Sequence, residues 1–131
     1  MDDLSRRSGG RKAKSVVFTA EQIATRVASL GREITAAYSG GDLLLLGLLK
    51  GSFIFLADLV RAVERPLQVD FFVASSYGSG TVSSGNVRLL YDPATDLAGK
   101  HIVVVEDIID SGRTLTRLVE LLRARHPASL A

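Results

Sequence analysis

The chain is predicted to be an α/β protein, an open and mainly parallel sheet flanked by helices, and three observations predict it. Two apolar runs, Leu43–Leu49 and His101–Val105, show no polar alternation, as strands buried on both faces require. Stretches with apolar residues at helical spacing separate the strand-like runs, and strands that alternate with helices imply right-handed crossovers in a parallel sheet. The size agrees: 131 residues, 47% of them hydrophobic and 23% charged, make one ordinary domain with enough apolar material for a core.

Taken in order, the first fourteen residues carry Arg6, Arg7, Arg11, Lys12 and Lys14 against Asp2 and Asp3, a net +3 that leaves −1 for the rest. They read as a basic, solvated tail (1–14), with nucleic acid not expected as a partner, and residues 15–131 as one domain. Thr19 with Gln22 three residues on is a capping-box pattern, and Ile23, Val27, Leu30, Ile34 and Ala37 then recur at helical spacing up to Gly40-Gly41. After the strand Leu43–Leu49, Ser52 is expected to cap a helix running to about Glu64, ahead of Pro66. Leu67–Ser76 reads as a strand. Tyr77–Asn86, with three glycines and four serines or threonines, reads as a mobile loop. Val87–Tyr91 is a short strand, Asp92-Pro93 and Gly99-Lys100 are turns, and His101–Val105 is the next strand. A helix from about Gly112 to Arg125 places Leu115, Leu118, Val119 and Leu122 on one face before Pro127.

Composition excludes several chemistries. There is no cysteine, so disulfides, zinc-thiolate sites and cysteine nucleophiles are out, and any metal must be held by oxygen. The longest apolar run is too short to span a bilayer, so no membrane partner is expected and a cytoplasmic location is. His101 and His126 lack metal-ligand spacing and read as structural. Arg117, Arg123 and Arg125 read as a solvated helix face.

Ligands of open α/β sheets bind beyond the carboxyl ends of the strands. Two loops leave such ends here, Leu49-Lys50-Gly51-Ser52 and Glu106–Arg113. In the second, an apolar strand delivers Glu106 and Asp107 to its tip, and a loop rich in small and hydroxylated residues opens a helix. The free amides of a helix start, with the hydroxyls of Ser111 and Thr114, suit a phosphate. Adjacent carboxylates would repel phosphate, but they accept hydrogen bonds from vicinal hydroxyls or hold magnesium through oxygen or water. Together they suggest a sugar phosphate. Taken alone, Glu106, Asp107 and Asp110 fit equally well an ordinary acidic turn, with Asp110 or Ser111 as N-cap. Neither GxxxxGK[ST] nor GxGxxG is present.

The stretch Val104-Val105-Glu106-Asp107-Ile108-Ile109-Asp110-Ser111-Gly112-Arg113-Thr114-Leu115 resembles the phosphoribosyl-diphosphate (PRPP) motif of the type I phosphoribosyltransferases, in its hypoxanthine-guanine form. Leu48–Val60 is similar to the diphosphate-loop segment of that family, and Asp70–Gly78 to the strand entering its flexible catalytic loop. The resemblance implies a type I phosphoribosyltransferase core and roles for named residues. Glu106 and Asp107 would hold the ribose hydroxyls and, directly or through water, magnesium. Asp110, Ser111, Gly112, Arg113 and Thr114 would wrap the 5′-phosphate, with Asp110 also accepting a proton near the purine N7. Lys50 and Gly51 would contact the diphosphate after a cis peptide, and Ser76 and Tyr77 would close over the reacting centre. The implied activity is purine salvage, transfer of phosphoribose from PRPP to N9 of a 6-oxopurine, hypoxanthine or guanine, by a dimer or tetramer. Two alternatives stand beside it: a non-catalytic PRPP- or RNA-binding regulatory module, and a phosphoribosyltransferase for another base. The family's base-contacting segment and last strand would follow Ser129-Leu130-Ala131, so this length reads as a shortened form whose own activity is open, with an apolar sheet edge expected to be exposed.

Overall fold

The computed structural model describes residues 6, 7, 9–76, 87–109 and 112–131. Helix α1 spans Ala20–Ala37, β1 Leu43–Leu49, α2 Phe53–Ala62, β2 Gln68–Ser76, β3 Val87–Tyr91, β4 His101–Val105, α3 Arg113–Arg123 and β5 Ser129–Leu130. The five strands form one sheet in the order β3-β2-β1-β4-β5. β1 runs parallel to β2 and β4, and β4 parallel to β5, while β3 is antiparallel to β2. The expected open, mainly parallel sheet is therefore present, with one reversed edge strand. Among the described residues no helix is long and apolar enough to cross a membrane.

β1 is central, and alternate leucines serve opposite faces. Leu43 and Leu45 pack with Ile34 of α1 and Leu56 and Leu59 of α2. Leu44 and Leu46 pack with Phe72, Leu97 and Ile102, and with Leu118 and Leu122 of α3. All four leucines are at most 1% exposed, and burying each contributes roughly 1.5–3 kcal/mol. Gly47 completes the strand where a side chain cannot fit, because a Cβ there would lie 2.7 Å from Leu56 Cδ2.

The local signals explain α1. Thr19 Oγ1 accepts the Gln22 amide at 3.1 Å and Gln22 Oε1 accepts the Thr19 amide at 2.8 Å, the reciprocal capping box the spacing predicts. α1 crosses α2 closely at Gly31, where a Cβ would stand 2.3 Å from the Ala62 carbonyl oxygen. Arg65 ties the α1 end to the α2–β2 turn, donating to the carbonyls of Tyr38, Gly40 and Gly41.

Some expectations need correction. Ser52 precedes α2 but its side chain does not cap it: Ser52 is fully buried and its Oγ donates to the Leu48 carbonyl at 2.5 Å. α2 ends at Ala62, short of Glu64, because Val63 turns extended and buries its side chain at 8% exposure. α3 starts after Gly112 in a left-handed conformation, φ 77°, and stops at Arg123. His101 is structural as expected: its Nδ1 lies 2.6 Å from Ser129 Oγ and its ring packs on Tyr38.

Asp70 is a polar feature the sequence did not flag. It lies in β2, and its carboxylate accepts the Phe71 amide at 2.7 Å and, from the segment leading to β4, the Thr95 amide at 2.9 Å and hydroxyl at 2.6 Å. Burial alone would raise its pKa, but these hydrogen bonds, with that of the Ala94 backbone, outweigh burial and hold it below 3.8. A carboxylate depressed in the folded state adds stability above its unfolded pKa and loses it as pH falls through the folded one. Asp70→Asn is therefore expected to lower the urea midpoint at neutral pH, with the gap to wild type closing below about pH 4. Urea titrations of both proteins across that range test this; a gap independent of pH would count against it.

Candidate active site

Parallel pairing brings the carboxyl ends of β1, β2 and β4 to one side of the sheet. Gly47 of β1 is level with Val105 of β4 and Phe71 of β2, and Leu49 with Val73. The residues following each strand, Lys50 after β1 and Glu106 after β4, therefore emerge side by side, with Ser76 at the end of β2 on the same side.

The β1–α2 turn is built tightly. The Leu49–Lys50 peptide is cis, as the resemblance implies. Ser52, buried beneath the turn, holds it to the end of β1 through the Leu48 carbonyl, and the Ser52 carbonyl accepts the Leu56 amide at 2.8 Å. Lys50 and Gly51 are left at the surface. Ser52 is thus a brace that sequence reasoning took for a helix cap. Its only advance signal was a hydroxyl residue amid a strongly apolar stretch.

Gly51 meets the acidic stretch directly. A Cβ built on it would lie 2.7 Å and 3.0 Å from the two carboxylate oxygens of Asp107. Any side chain at residue 51 would push that carboxylate aside, so the structure joins two motifs that are more than fifty residues apart in sequence. Glu106 Oε1 accepts the Asp107 amide at 2.9 Å. Burial raises the Glu106 pKa, and hydrogen bonding and repulsion from the Asp107 carboxyl raise it further. The two carboxylates crowd each other, which a divalent cation or a row of hydroxyl donors relieves. Ile108 and Ile109 follow, 72% and 70% exposed. An exposed apolar pair beside charged groups offers a flat base or ring something to lie on.

On the far side of the loop, Gly112 opens α3 and offers no side-chain cap, while Arg113 and Thr114 occupy its first turn. Thr116 donates through both its amide, at 2.9 Å, and its hydroxyl, at 2.8 Å, to the Gly112 carbonyl. Tyr77, Asp110 and Ser111 lie outside the described residues. Among the described residues no cluster of three or more His, Asp or Glu forms a ready metal cage. Glu106 and Asp107 still fit magnesium, which is commonly held by one or two carboxylates together with substrate phosphates.

This arrangement is matched among known proteins. Residues 15–131 correspond to the phosphoribosyl transferase domain family. The chain belongs to that family. A hypoxanthine-guanine phosphoribosyltransferase of Mycobacterium avium is 52% identical over 123 residues, covering 89% of this chain and 61% of that protein. A hypoxanthine phosphoribosyltransferase of Salmonella typhimurium is 50% identical over 118 residues, covering 88% and 66%. The chain thus spans less than two thirds of the length of these curated relatives. The crystal structure of a hypoxanthine phosphoribosyltransferase from Staphylococcus aureus superposes with a TM-score of 0.90 at 35% identity, covering 99% of this chain and 68% of that one. Within the phosphoribosyl transferase family, an apolar parallel sheet with its loops gathered at one end is the part this chain shares.

Proposed function

We propose that this chain transfers the 5-phosphoribosyl group of PRPP to N9 of hypoxanthine or guanine, giving IMP or GMP and diphosphate. The observation that carries the reading is the contact of Gly51 with the Asp107 carboxylate, which sets the diphosphate loop against the ribose-binding acids. The similarity to hypoxanthine and hypoxanthine-guanine enzymes supports the choice of base. A cytoplasmic homo-oligomer, dimer or tetramer, is part of the same reading.

Each role follows from the chemistry of the residue. The carboxylates of Glu106 and Asp107 accept hydrogen bonds from the ribose 2′- and 3′-hydroxyls and fix the sugar. Amides at the start of α3, with Ser111, Arg113 and Thr114, hold the 5′-phosphate, which the positive end of a helix favours. Lys50 offsets negative charge on the departing diphosphate, and the Gly51 amide binds it. Glu106 and Asp107 would hold magnesium, which would supply further neutralisation of negative charge on the diphosphate. As the purine N9 bonds to C1 of the ribose, the C1–oxygen bond breaks and its electron pair leaves with diphosphate. The purine proton passes at N7 to the Asp110 carboxylate. Ser76, Tyr77 and the glycine-rich segment after them exclude water, which competes as nucleophile.

Gly51→Ala tests the juxtaposition. The new methyl displaces the Asp107 carboxylate, so KM for PRPP is expected to rise about tenfold, since a small misplacement in a site costs one to two orders of magnitude. Thermal stability should hardly change because Gly51 is at the surface. Unaltered PRPP kinetics would refute the contact's role. The activity itself is tested by incubating the chain with PRPP, magnesium and each of hypoxanthine, guanine, xanthine and uracil. Formation of IMP or GMP is expected, and conversion of xanthine or uracil alone, or none of the four, would overturn the reading.

A further inference from the structure

We propose that Ser52 is a positioning residue for the diphosphate: without touching it, the Ser52 hydroxyl fixes where Lys50 and the Gly51 amide stand against Asp107. The inference rests on the phosphoribosyl transfer proposed above. Among the described residues Ser52 is the one buried polar residue, at 0% exposure. No ligand reaches it, so whatever it does for a ligand passes through its neighbours.

The hydroxyl is spent in an unusual direction. A serine at a helix N-cap ordinarily offers its oxygen to the second or third amide of the helix. Ser52 holds that place ahead of α2, with backbone angles already helical at φ −78° and ψ −8°, but makes no such bond. Its main chain serves the helix, the carbonyl accepting the Leu56 amide at 2.8 Å, while its Oγ donates backwards to the Leu48 carbonyl at 2.5 Å. One residue thus ties the end of β1 to the start of α2, and residues 49–51 bridge the gap between the hydroxyl and its acceptor. The other bond across the turn, from the Phe53 amide to the Lys50 carbonyl, is long at 3.4 Å and too weak to hold it alone.

What the hydroxyl holds is the part of the turn that meets β4. A Cβ on Gly51 would lie 2.7 Å from an Asp107 carboxylate oxygen. With so little room, the height of residue 51 above β1 sets both the place of its amide and the space left to that carboxylate. An alanine at 52 would suit the surrounding apolar residues, so the oxygen acts on the turn and not on the filling of the core.

Wild type, Ser52→Ala and Ser52→Thr are compared in steady-state kinetics, in calorimetry with inorganic diphosphate and magnesium, and in thermal melting. Ser52→Ala frees the turn, so KM for PRPP is expected to rise about tenfold, with kcat and KM for hypoxanthine within about threefold of wild type. Ser52→Thr keeps the hydroxyl but adds a methyl to a filled site, so it should melt at least as low as Ser52→Ala while its KM for PRPP stays near that of wild type. Substrate binding and stability then rank the variants differently, which a purely structural serine cannot produce. Affinity for inorganic diphosphate should follow the order of KM, and it reports on Ser52 without any base being converted. If wild type binds diphosphate but forms neither IMP nor GMP, the proposed activity falls, while an affinity weakened about tenfold in Ser52→Ala still upholds the role of Ser52. Unchanged PRPP and diphosphate binding in Ser52→Ala, binding that merely tracks melting temperature across the three proteins, or a wild type that binds no diphosphate would each overturn the proposal.

Discussion

Asp110→Asn is expected to reduce turnover by about 10²–10⁴-fold, the usual contribution of a positioned general base, while PRPP affinity stays within about threefold. The amide keeps the size of the carboxylate and can still meet the phosphate-binding loop, but it cannot take a proton from the purine. The loss should therefore fall on kcat. Steady-state kinetics with hypoxanthine, paired with a direct PRPP-binding measurement, separate the two effects. Equal losses in binding and turnover would assign Asp110 to the phosphate cradle and not to proton transfer.

Removing both Glu106 and Asp107 should do the reverse. Glu106→Ala with Asp107→Ala is expected to weaken PRPP binding by roughly 10²–10⁴-fold, because each charge-assisted hydrogen bond to a ribose hydroxyl is worth about 1.5–3 kcal/mol and every 1.4 kcal/mol is tenfold. The fold should not suffer. Burial, and after it the neighbouring Asp107 carboxyl, raise the Glu106 pKa, so deleting both side chains removes a desolvation cost and a like-charge contact at the tip of β4. A variant that melts no earlier than wild type yet fails to bind PRPP in calorimetry would fit a binding pair. Full affinity in the folded double variant would remove both residues from the site.

Much of this was legible in the chain because its strongest signals are local. β1 and β4 are continuous apolar runs since both faces of each are covered, and α1 announces its start through Thr19 and Gln22. The reversed direction of β3 was also within reach. The segment between β2 and β3 has no helical period, and a parallel return needs a crossover of a dozen or more residues, usually helical. What stayed hidden depends on partners far away in sequence. Ser52 looks like any cap until its hydroxyl is seen to donate backwards to Leu48. Asp70 looks like a stray charge in a strand until Thr95 arrives from 25 residues away. Nothing near Gly51 says that its missing side chain makes room for Asp107. The acidic stretch and the lysine turn were recognisable singly, and only strand register sets them next to each other.

β1 has strands on both edges and side chains packed on both faces, so its amide hydrogens can reach solvent only when the whole molecule opens. The turns at its tip carry no such protection. In deuterium oxide Leu44–Leu46 should be among the last positions to exchange, while Lys50, Gly51 and Asp107 exchange early through small local openings. Heating would then loosen the turns after β1 and β4 long before the strand that holds the sheet, so the proposed transferase activity is expected to fail below the temperature at which the fold melts.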